Sequence, residues 1–348
     1  MKFFRLLKIV KLYCLLALLP ASVFSQNAKQ DSFYVANWNV ENLFDTEKDS
    51  LKNDSEFLPG TVKDWNVSRF DQKLDHLTQV INYMNNGCGP DIFSVEEVEN
   101  LMVMKYLSYK FTDREYIACH RDSPDERGID VGLYYDRKVF SVDSIAAIHV
   151  KLPDNRPTRD ILHVILTHKL SGEKINIYVN HWPSRRGGEL KSESNRIAAA
   201  EVLKSSLDTL FSTSPDSKVI VLGDFNDNPD NNSVVGILGA KKFDCSNNNT
   251  HEPEFINLSY TKFEKGEGSY LYRGKFEMID QMIISKNLLG RSGIFYSCGT
   301  FDVVKPPFMI FKEGKRTDGA IPTYEGSKYI GGYSDHFPVG AKFYVKGN

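Results

Sequence analysis

Cysteine, excess charge and long apolar runs are all scarce in this chain, and each scarcity excludes something. Its five cysteines include no CxxC pair, which argues against a zinc knuckle. The formal net charge is −2, far from the strong positive balance that draws a protein unspecifically onto a polyanion, although local basic loops remain open to it. No apolar run approaches the roughly 20 residues that cross a bilayer. No Gly/Ser/Pro-rich linker divides the 348 residues and no segment repeats, so one large domain is expected rather than two. What is present suits that. Hydrophobic residues make up 41%, with 22 Phe and 17 Tyr, enough for a sizeable core and unlike a disordered chain.

The N-terminus is of another kind. Lys2, Arg5, Lys8 and Lys11 precede the apolar run from Leu12 to Leu19, and the small residues of Ala21-Ser-Val-Phe-Ser25 follow before Gln26. This is the layout of an export signal, with cleavage expected after Ser25, residues 26–32 as a short linker and residues 33–348 as the domain. Cys14 lies inside the apolar run, against a lipoprotein anchor; an uncleaved signal anchor is the alternative. Cleavage would remove four basic residues and no acids, leaving 39 basic against 45 acidic, a net charge of about −6. The expectation is an exported, periplasmic or extracellular monomer with no stable membrane insertion. Its remaining cysteines, Cys88, Cys119, Cys245 and Cys298, would sit in a compartment that permits one or two disulfides.

The run Val219-Ile-Val-Leu-Gly-Asp-Phe-Asn226 organises the rest. β-Branched and leucine residues halted by glycine read as a strand buried on both faces. Asp224 and Asn226 lie two residues apart past its end, so at strand period they point the same way. Alone, this is an ordinary turn. Other strand-like runs, however, also end in polar residues able to bind metal or phosphate. Residues 33–44 carry Asn39 and Glu41 on one parity. Residues 92–95 lead into Glu96, Glu97 and Glu99, which repel one another unless a cation sits among them. Glu97 shares parity with Phe93 and Val95 and is the preferred candidate. Residues 175–181 end in Asn180 and His181. Residues 276–285 embed Asp280 among apolar neighbours, where an unpaired carboxylate costs several kcal/mol and needs a cationic or hydrogen-bonding mate. Asp335 and His336 arrive just ahead of the last strand.

Between these runs, Ser68 is expected to cap a helix with Phe70, Leu74, Leu77, Ile81 and Met84 on one apolar face, and Arg69 and Lys73 on its solvated side. A second helix over roughly 189–211 turns Ile197, Leu203, Leu207 and Leu210 inward. Arg127 and Asp130 occupy a loop leading into a strand, and Arg159 opens a further strand pair; beside a phosphate an arginine acts as an anion clamp. Residues 228–268 show no clear pattern. Residues 302–333 read as a long loop, of the kind that often forms a functional rim.

WNVENLF around Asn39 and Glu41, DIFSVEEVEN around Glu97, VNHWPS around His181, GDFNDNP around Asp224 and Asn226, IDQMIIS around Asp280 and SDHFPV around Asp335 and His336 together resemble the successive motifs of the endonuclease/exonuclease/phosphatase superfamily. The resemblance runs in order over residues 33–345. It implies an α/β fold, a four-layered sandwich of two mixed, mainly antiparallel sheets packed face to face and flanked by helices, with the site where strand ends converge. It implies hydrolysis of phosphoesters with Mg²⁺, or Mn²⁺ or Ca²⁺ in its place, ions that hard oxygen ligands select over zinc. By resemblance, Glu97 is the principal metal ligand, and Asn39, Glu41 and Asp335 complete or order its shell. Glu41 stands where many members have a shorter Asp, so metal contact there is open. Asp224 would orient or deprotonate the attacking water, and Asn226 would donate to the phosphoryl oxygens. His336 would pair with Asp280, leaving His181 as a second phosphate donor or the general acid. Arg127, Asp130 and Arg159 match patterns in bacterial members and, with Asn180, are expected to contact phosphate or substrate.

An exported nuclease-like phosphodiesterase acting on DNA or RNA is the leading expectation, from the export signal, from Arg185 and Arg186 beside His181, and from Lys312, Lys315 and Arg316 in the long loop. A phosphatase or phospholipase C-like enzyme acting on inositol phosphates or sphingomyelin is the alternative, left open by the acidic balance and by Phe308 and Phe311. A binding protein that keeps the fold without turnover is least favoured, because none of the matched catalytic positions is lost.

Overall fold

Strands buried on both faces, Asp130–Asp136, Val219–Asp224 and Asp280–Ser285 among them, form the middle of the domain. The computed structural model describes residues 31–245, 253–314 and 316–346; the segment expected to be an export signal, residues 1–25, and Lys315 lie outside the described residues. With strands numbered along the chain, the first large sheet contains β1 (Asp31–Leu43), β2 (Ile92–Val98), β3 (Tyr116–His120), β4 (Asp130–Asp136), β14 (Gly293–Tyr296), β15 (Asp302–Val303) and β18 (Val339–Lys346). Their order is β14-β18-β1-β2-β4-β3, with β15 also on β18. The second sheet contains β5 (Phe140–Ile148), β6 (Ile161–His168), β7 (Lys174–His181), β8 (Val219–Asp224), β9 (Ala240–Lys241), β10 (Phe255–Asn257) and β13 (Asp280–Ser285), in the order β5-β6-β7-β8-β13-β10-β9. Both are mixed: β1–β2, β7–β8 and β9–β10 pair in parallel, and the other pairs are antiparallel. Two hairpins stand apart, β11 (Tyr270–Tyr272) with β12 (Lys275–Glu277), and β16 (Tyr324–Glu325) with β17 (Lys328–Tyr329).

Strand alternation explains why the sheets stack. Ile220 and Leu222 of β8 share one core with Val35 of β1 and Val95 of β2, whereas Val219 and Val221 join Ala199, Ala200, Leu203 and Leu207 of α2 (Glu189–Thr213). One parity therefore meets the other sheet and the other meets a helix. Leu74, Leu77, Val80 and Ile81 of α1 (Val67–Gly87) pack into the core of the first sheet. These are the expected layers of two mixed sheets with flanking helices.

Several expectations are corrected. The cap of α1 is Asn66, whose side chain accepts from the Arg69 amide, rather than Ser68. Residues 276–285 do not form one strand: the start belongs to the β11–β12 hairpin, and only Asp280–Ser285 joins the sheet. The patternless stretch 228–268 contains β9, β10 and a π-helical turn, Ser233–Ile237. Cys245 and Cys298 form a disulfide, leaving Cys88 exposed and Cys119 buried as thiols. No helix among the described residues is long and apolar enough to cross a membrane.

Candidate active site

Strand register sets the site. Asn39 lies opposite Glu96 across the β1–β2 pair. In the second sheet Asp224 lies opposite both His181 and Asp280, so three strands deliver side chains at one level. The first two strands then leave regular pairing, between Asn39 and Leu43 and between Glu96 and Val98. Glu41, Asn42, Glu97 and Asn226 adopt φ of 54°, 51°, 64° and 50°. That conformation costs a non-glycine residue about 1–3 kcal/mol, and such strain concentrates at functional sites. Gly223, at φ 140°, has no alternative, because a Cβ there would lie 1.9 Å from the Asn180 carbonyl oxygen. Its absence lets β8 close on β7 immediately before Asp224.

The side chains from the two sheets meet. Asn39 Nδ2 donates to Asp224 Oδ2 at 3.0 Å and to Glu97 Oε1 at 3.4 Å. Glu97 Oε2 accepts from the Asn42 amide, and Asp224 Oδ1 from the Asn226 amide at 2.8 Å. His181 Nε2 is 3.8 Å from Asp224 and 4.0 Å from Glu97. Asp280 finds the mates its burial demands: Oδ2 meets His336 Nδ1 at 2.7 Å and accepts from Ser269 Oγ at 2.6 Å. The 334–336 segment is latched to β1, with Ser334 Oγ donating to the Asn39 carbonyl and Trp38 Nε1 to that of His336.

The surroundings drive the two histidines apart. Burial, with Arg159 and Arg127 nearby, holds His181 well below the ordinary histidine value, so it is neutral. Burial also acts to lower His336, but Asp280 and then Asp335 outweigh it and push the imidazole well above its usual value. Opposite displacements of two titratable groups assign them different roles. Burial, reinforced by Asp280, raises Asp224 to about 7. Glu96 is fully buried with no hydrogen-bond partner at either oxygen; burial, with Asp280 and Asp224 beside it, holds its carboxyl well above the usual range.

Not every expected residue faces the cleft. Glu41 accepts from the amides of Thr323 (2.6 Å) and Tyr324 (3.2 Å), so it anchors the long loop instead of presenting free oxygens. Its distance in sequence from Asn39 suggested a shared face, but the break in β1 turns it away. Asn180 is fully buried; its amide donates to the Tyr178 and Leu222 carbonyls and its oxygen accepts from Trp182, which removes it from substrate contact. Asp130 is likewise enclosed, accepting from the amide and hydroxyl of Ser123 and pairing with His120. Arg159 is buried against the His181 and Trp182 carbonyls and Asp125, so it fixes the His181 backbone. Arg127, with its side chain 53% exposed, keeps only a 3.4 Å contact to Asp125 and is free to meet an anion. The Asn226 side chain donates from Nδ2 to the Trp182 carbonyl at 3.0 Å, leaving one Nδ2–H.

Two features escaped the sequence reading. Lys73, expected on the solvated side of α1, is 1% exposed; its place in the Lys73, Leu77, Val80, Met84 stripe was the available signal. The second is a stack on the β11–β12 hairpin. Tyr270 lies 4.7 Å from the His336 ring, Tyr272 stacks on Tyr270, and Arg273 covers Tyr272 at 5.2 Å.

A hard divalent ion fits the residues present. The Glu97 and Asp335 side chains are 18% and 32% exposed, against 3% for Asp224 and 0% for Asp280, so two anionic oxygen donors open toward the cleft. Asp224, Asp280 and His336 also offer ligand atoms within 4.8 Å of one another. Mostly oxygen donors favour Mg²⁺, Mn²⁺ or Ca²⁺.

Residues 34–345 match the family model described as Endonuclease/Exonuclease/phosphatase family. A comparison with curated proteins finds no match. Among solved structures, an endonuclease/exonuclease/phosphatase family protein from Bacteroides thetaiotaomicron superposes with TM-score 0.55 at 16% identity, over 91% of this chain and 99% of that one. The mannosyl-6-phosphatase of the same organism gives 0.53 at 16% identity, over 89% and 99%. The human nocturnin catalytic domain with bound sulfate gives 0.52 at 16% identity, over 91% and 98%. At such identities the likeness is one of fold.

Proposed function

The chain belongs to the endonuclease/exonuclease/phosphatase family, whose members hydrolyse phosphoester bonds, and on that premise we propose an exported, divalent-metal-dependent phosphodiesterase that cuts nucleic acid. The observation that carries this reading is the meeting of Asp224, His181 and the His336–Asp280 pair with Glu97 and Asn39. Phosphoester hydrolysis needs a positioned water, positive charge at the phosphoryl oxygens and a proton for the leaving oxygen. Asp224, oriented by Asn39 and by the Asn226 amide and raised to about 7, is suited to take the water's proton. His336, kept cationic by Asp280, is suited to the leaving oxygen or the charge developing on the phosphoryl group. Neutral His181 and the remaining Asn226 N–H act as donors, and Arg127 binds at the rim. Glu97 and Asp335 would hold a divalent ion, which when bound supplies charge neutralisation and Lewis acidity.

The stack of Tyr270, Tyr272 and Arg273 supports a ring-bearing substrate, because aromatic faces and guanidinium planes bind bases without sequence preference. The Cys245–Cys298 disulfide supports an oxidising, exported setting. One observation favours a second reading, a phosphatase acting on small phosphorylated sugars or inositols. Arg185, expected to serve a polyanion, is occupied by Glu277 at 3.0 Å and the Asn226 carbonyl at 2.7 Å. Incubation with plasmid and single-stranded DNA, with Mg²⁺ or chelator, tests the first reading. Chelator-sensitive cleavage is expected, and intact DNA at high enzyme rejects it. Phosphate release from a sugar-phosphate panel, with DNA left intact, would establish the second.

Protons and metal should compete. Asp335 is raised by burial and by Glu97 nearby, while Glu41 and Asp224 rise to about 7. Asp335 must give up its proton to bind an ion, and the ion's charge favours the ionised forms of Glu41 and Asp224 close by. Divalent-ion binding at pH 6.5 is therefore expected to release protons, and affinity to strengthen from pH 6 to 8. Calorimetry in two buffers of different ionisation enthalpy measures the release; equal heats in both would contradict it.

A further inference from the structure

Lys73 is a fully buried cation that the mechanism above leaves unused. Its Nζ donates to Thr323 Oγ1 and to the Tyr333 carbonyl, each at 2.6 Å. Thr323 is also held by Glu41, which accepts from its amide. One residue of the long loop is thus gripped by an acid from β1 and a base from α1. The second contact of Lys73, at Tyr333, lies two residues before Asp335, in the segment latched by Ser334 to the Asn39 carbonyl. The carboxylates whose charges Lys73 feels are Glu41, Asp335 and Glu97. Burying an ammonium in a core costs several kcal/mol unless opposite charge and hydrogen-bond acceptors surround it, and here both are supplied by the edge that builds the active site.

We infer that Lys73 is a resident cation of the active site: it positions the Asp335 segment and balances the Glu41 side, so that the cleft takes one divalent ion, between Glu97 and Asp335. This rests on the metal-dependent reading above. The arrangement is directional. His336 is paired with Asp280 on one flank, Lys73 lies within Coulombic reach of Glu41 on the other, and the two carboxylates left open to the cleft carry the charge that a single divalent ion neutralises. A second ion would have to enter beside the Lys73 ammonium on the Glu41 side or beside the cationic His336 at Asp224 and Asp280, in either case against Coulomb repulsion that is strong at low effective dielectric. Lys73 is accordingly a positioning residue, acting on the reaction through the acids around it.

Mn²⁺ titration of the mature protein, followed by electron paramagnetic resonance, tests this independently of turnover. The wild type is expected to bind one ion; two ions of similar affinity would overturn the inference. Lys73→Gln keeps hydrogen-bond donors but removes the charge, and is expected to bind the first Mn²⁺ on the order of 10-fold more tightly at low salt, because the acids lose their internal competitor. Unchanged or weaker binding would overturn it. Thr323→Val removes the loop contact and keeps the charge, so Mn²⁺ affinity should stay within about 2-fold of wild type. If this variant instead reproduced the effect of Lys73→Gln, loop anchoring would be the whole role and the inference would fail. Should Lys73→Gln not fold, the wild-type stoichiometry still decides. Absence of any Mn²⁺ binding to the wild type would instead reject the metal-dependent reading itself.

Discussion

Asp224→Asn is expected to lower kcat by about 10²–10⁴-fold, the range a positioned general base contributes, while leaving divalent-ion affinity within a few-fold. The carboxylate is only 3% exposed, and both oxygens are already oriented by donors, Asn226 N at 2.8 Å and Asn39 Nδ2 at 3.0 Å. Those contacts fix its direction without neutralising it. Burial, with Asp280, sets its value at about 7, close to where a base is half available and still strong enough to accept a proton. Asparagine matches the shape and cannot accept the proton, and its amide end would confront one of the two donors. Single-turnover kinetics at saturating metal separates the chemical step from binding; a variant within about 3-fold of wild type would remove Asp224 from the reaction.

Asp280→Asn is expected to produce the second large loss, about 10²–10⁴-fold in kcat, together with a displaced pH profile. His336 is cationic because Asp280 sits 2.7 Å from Nδ1 and outweighs the cost of burial. With that partner neutral, burial dominates and the imidazole loses its proton at lower pH. A group required in its protonated form then ceases to act earlier on the alkaline side, so the falling limb of kcat/KM against pH should move to lower pH. Ser269→Ala, which removes the hydroxyl donating to the same oxygen at 2.6 Å, should cost far less, because the charge remains. An Asp280→Asn profile superimposable on the wild type would show that His336 does not act as a cation.

Much of this was legible in the sequence, and the reasons are particular. Asp224 closes an apolar run and Asp280 lies inside one, and polar groups in such places must be satisfied by something specific; hence the need of Asp280 for a mate follows from the sequence. The unbroken apolar run predicts that both faces of β8 are covered, and both are. Alternation failed where the backbone stops alternating. Glu41 was grouped with Asn39 by parity, yet it sits in a left-handed turn and caps the Thr323 and Tyr324 amides. Asn180, at the turn after its strand, and Asp130, implied by the resemblance, are polar residues that could face a substrate, but buried backbone groups compete for the same donors and acceptors, and in both cases the local partners win. Lys73 was missed because a lysine at a stripe position reads as a break in the stripe. Only the distant partners Thr323 and Tyr333 make its burial intelligible, and separations of 250 and 260 residues leave no local trace.

The hydrogen bond from Asn39 to Asp224 has a wider bearing. Its two ends belong to different sheets, so its length is set by how thickly the layer between them is filled. The pair thus acts as a caliper on the interior. A side chain enlarged at Val95 or Leu222, both fully buried in that layer, would wedge the halves apart and register first as a misaimed base. In a close-packed interior there is little slack to absorb it, and the interior of this domain is answerable to its chemistry as well as to its stability.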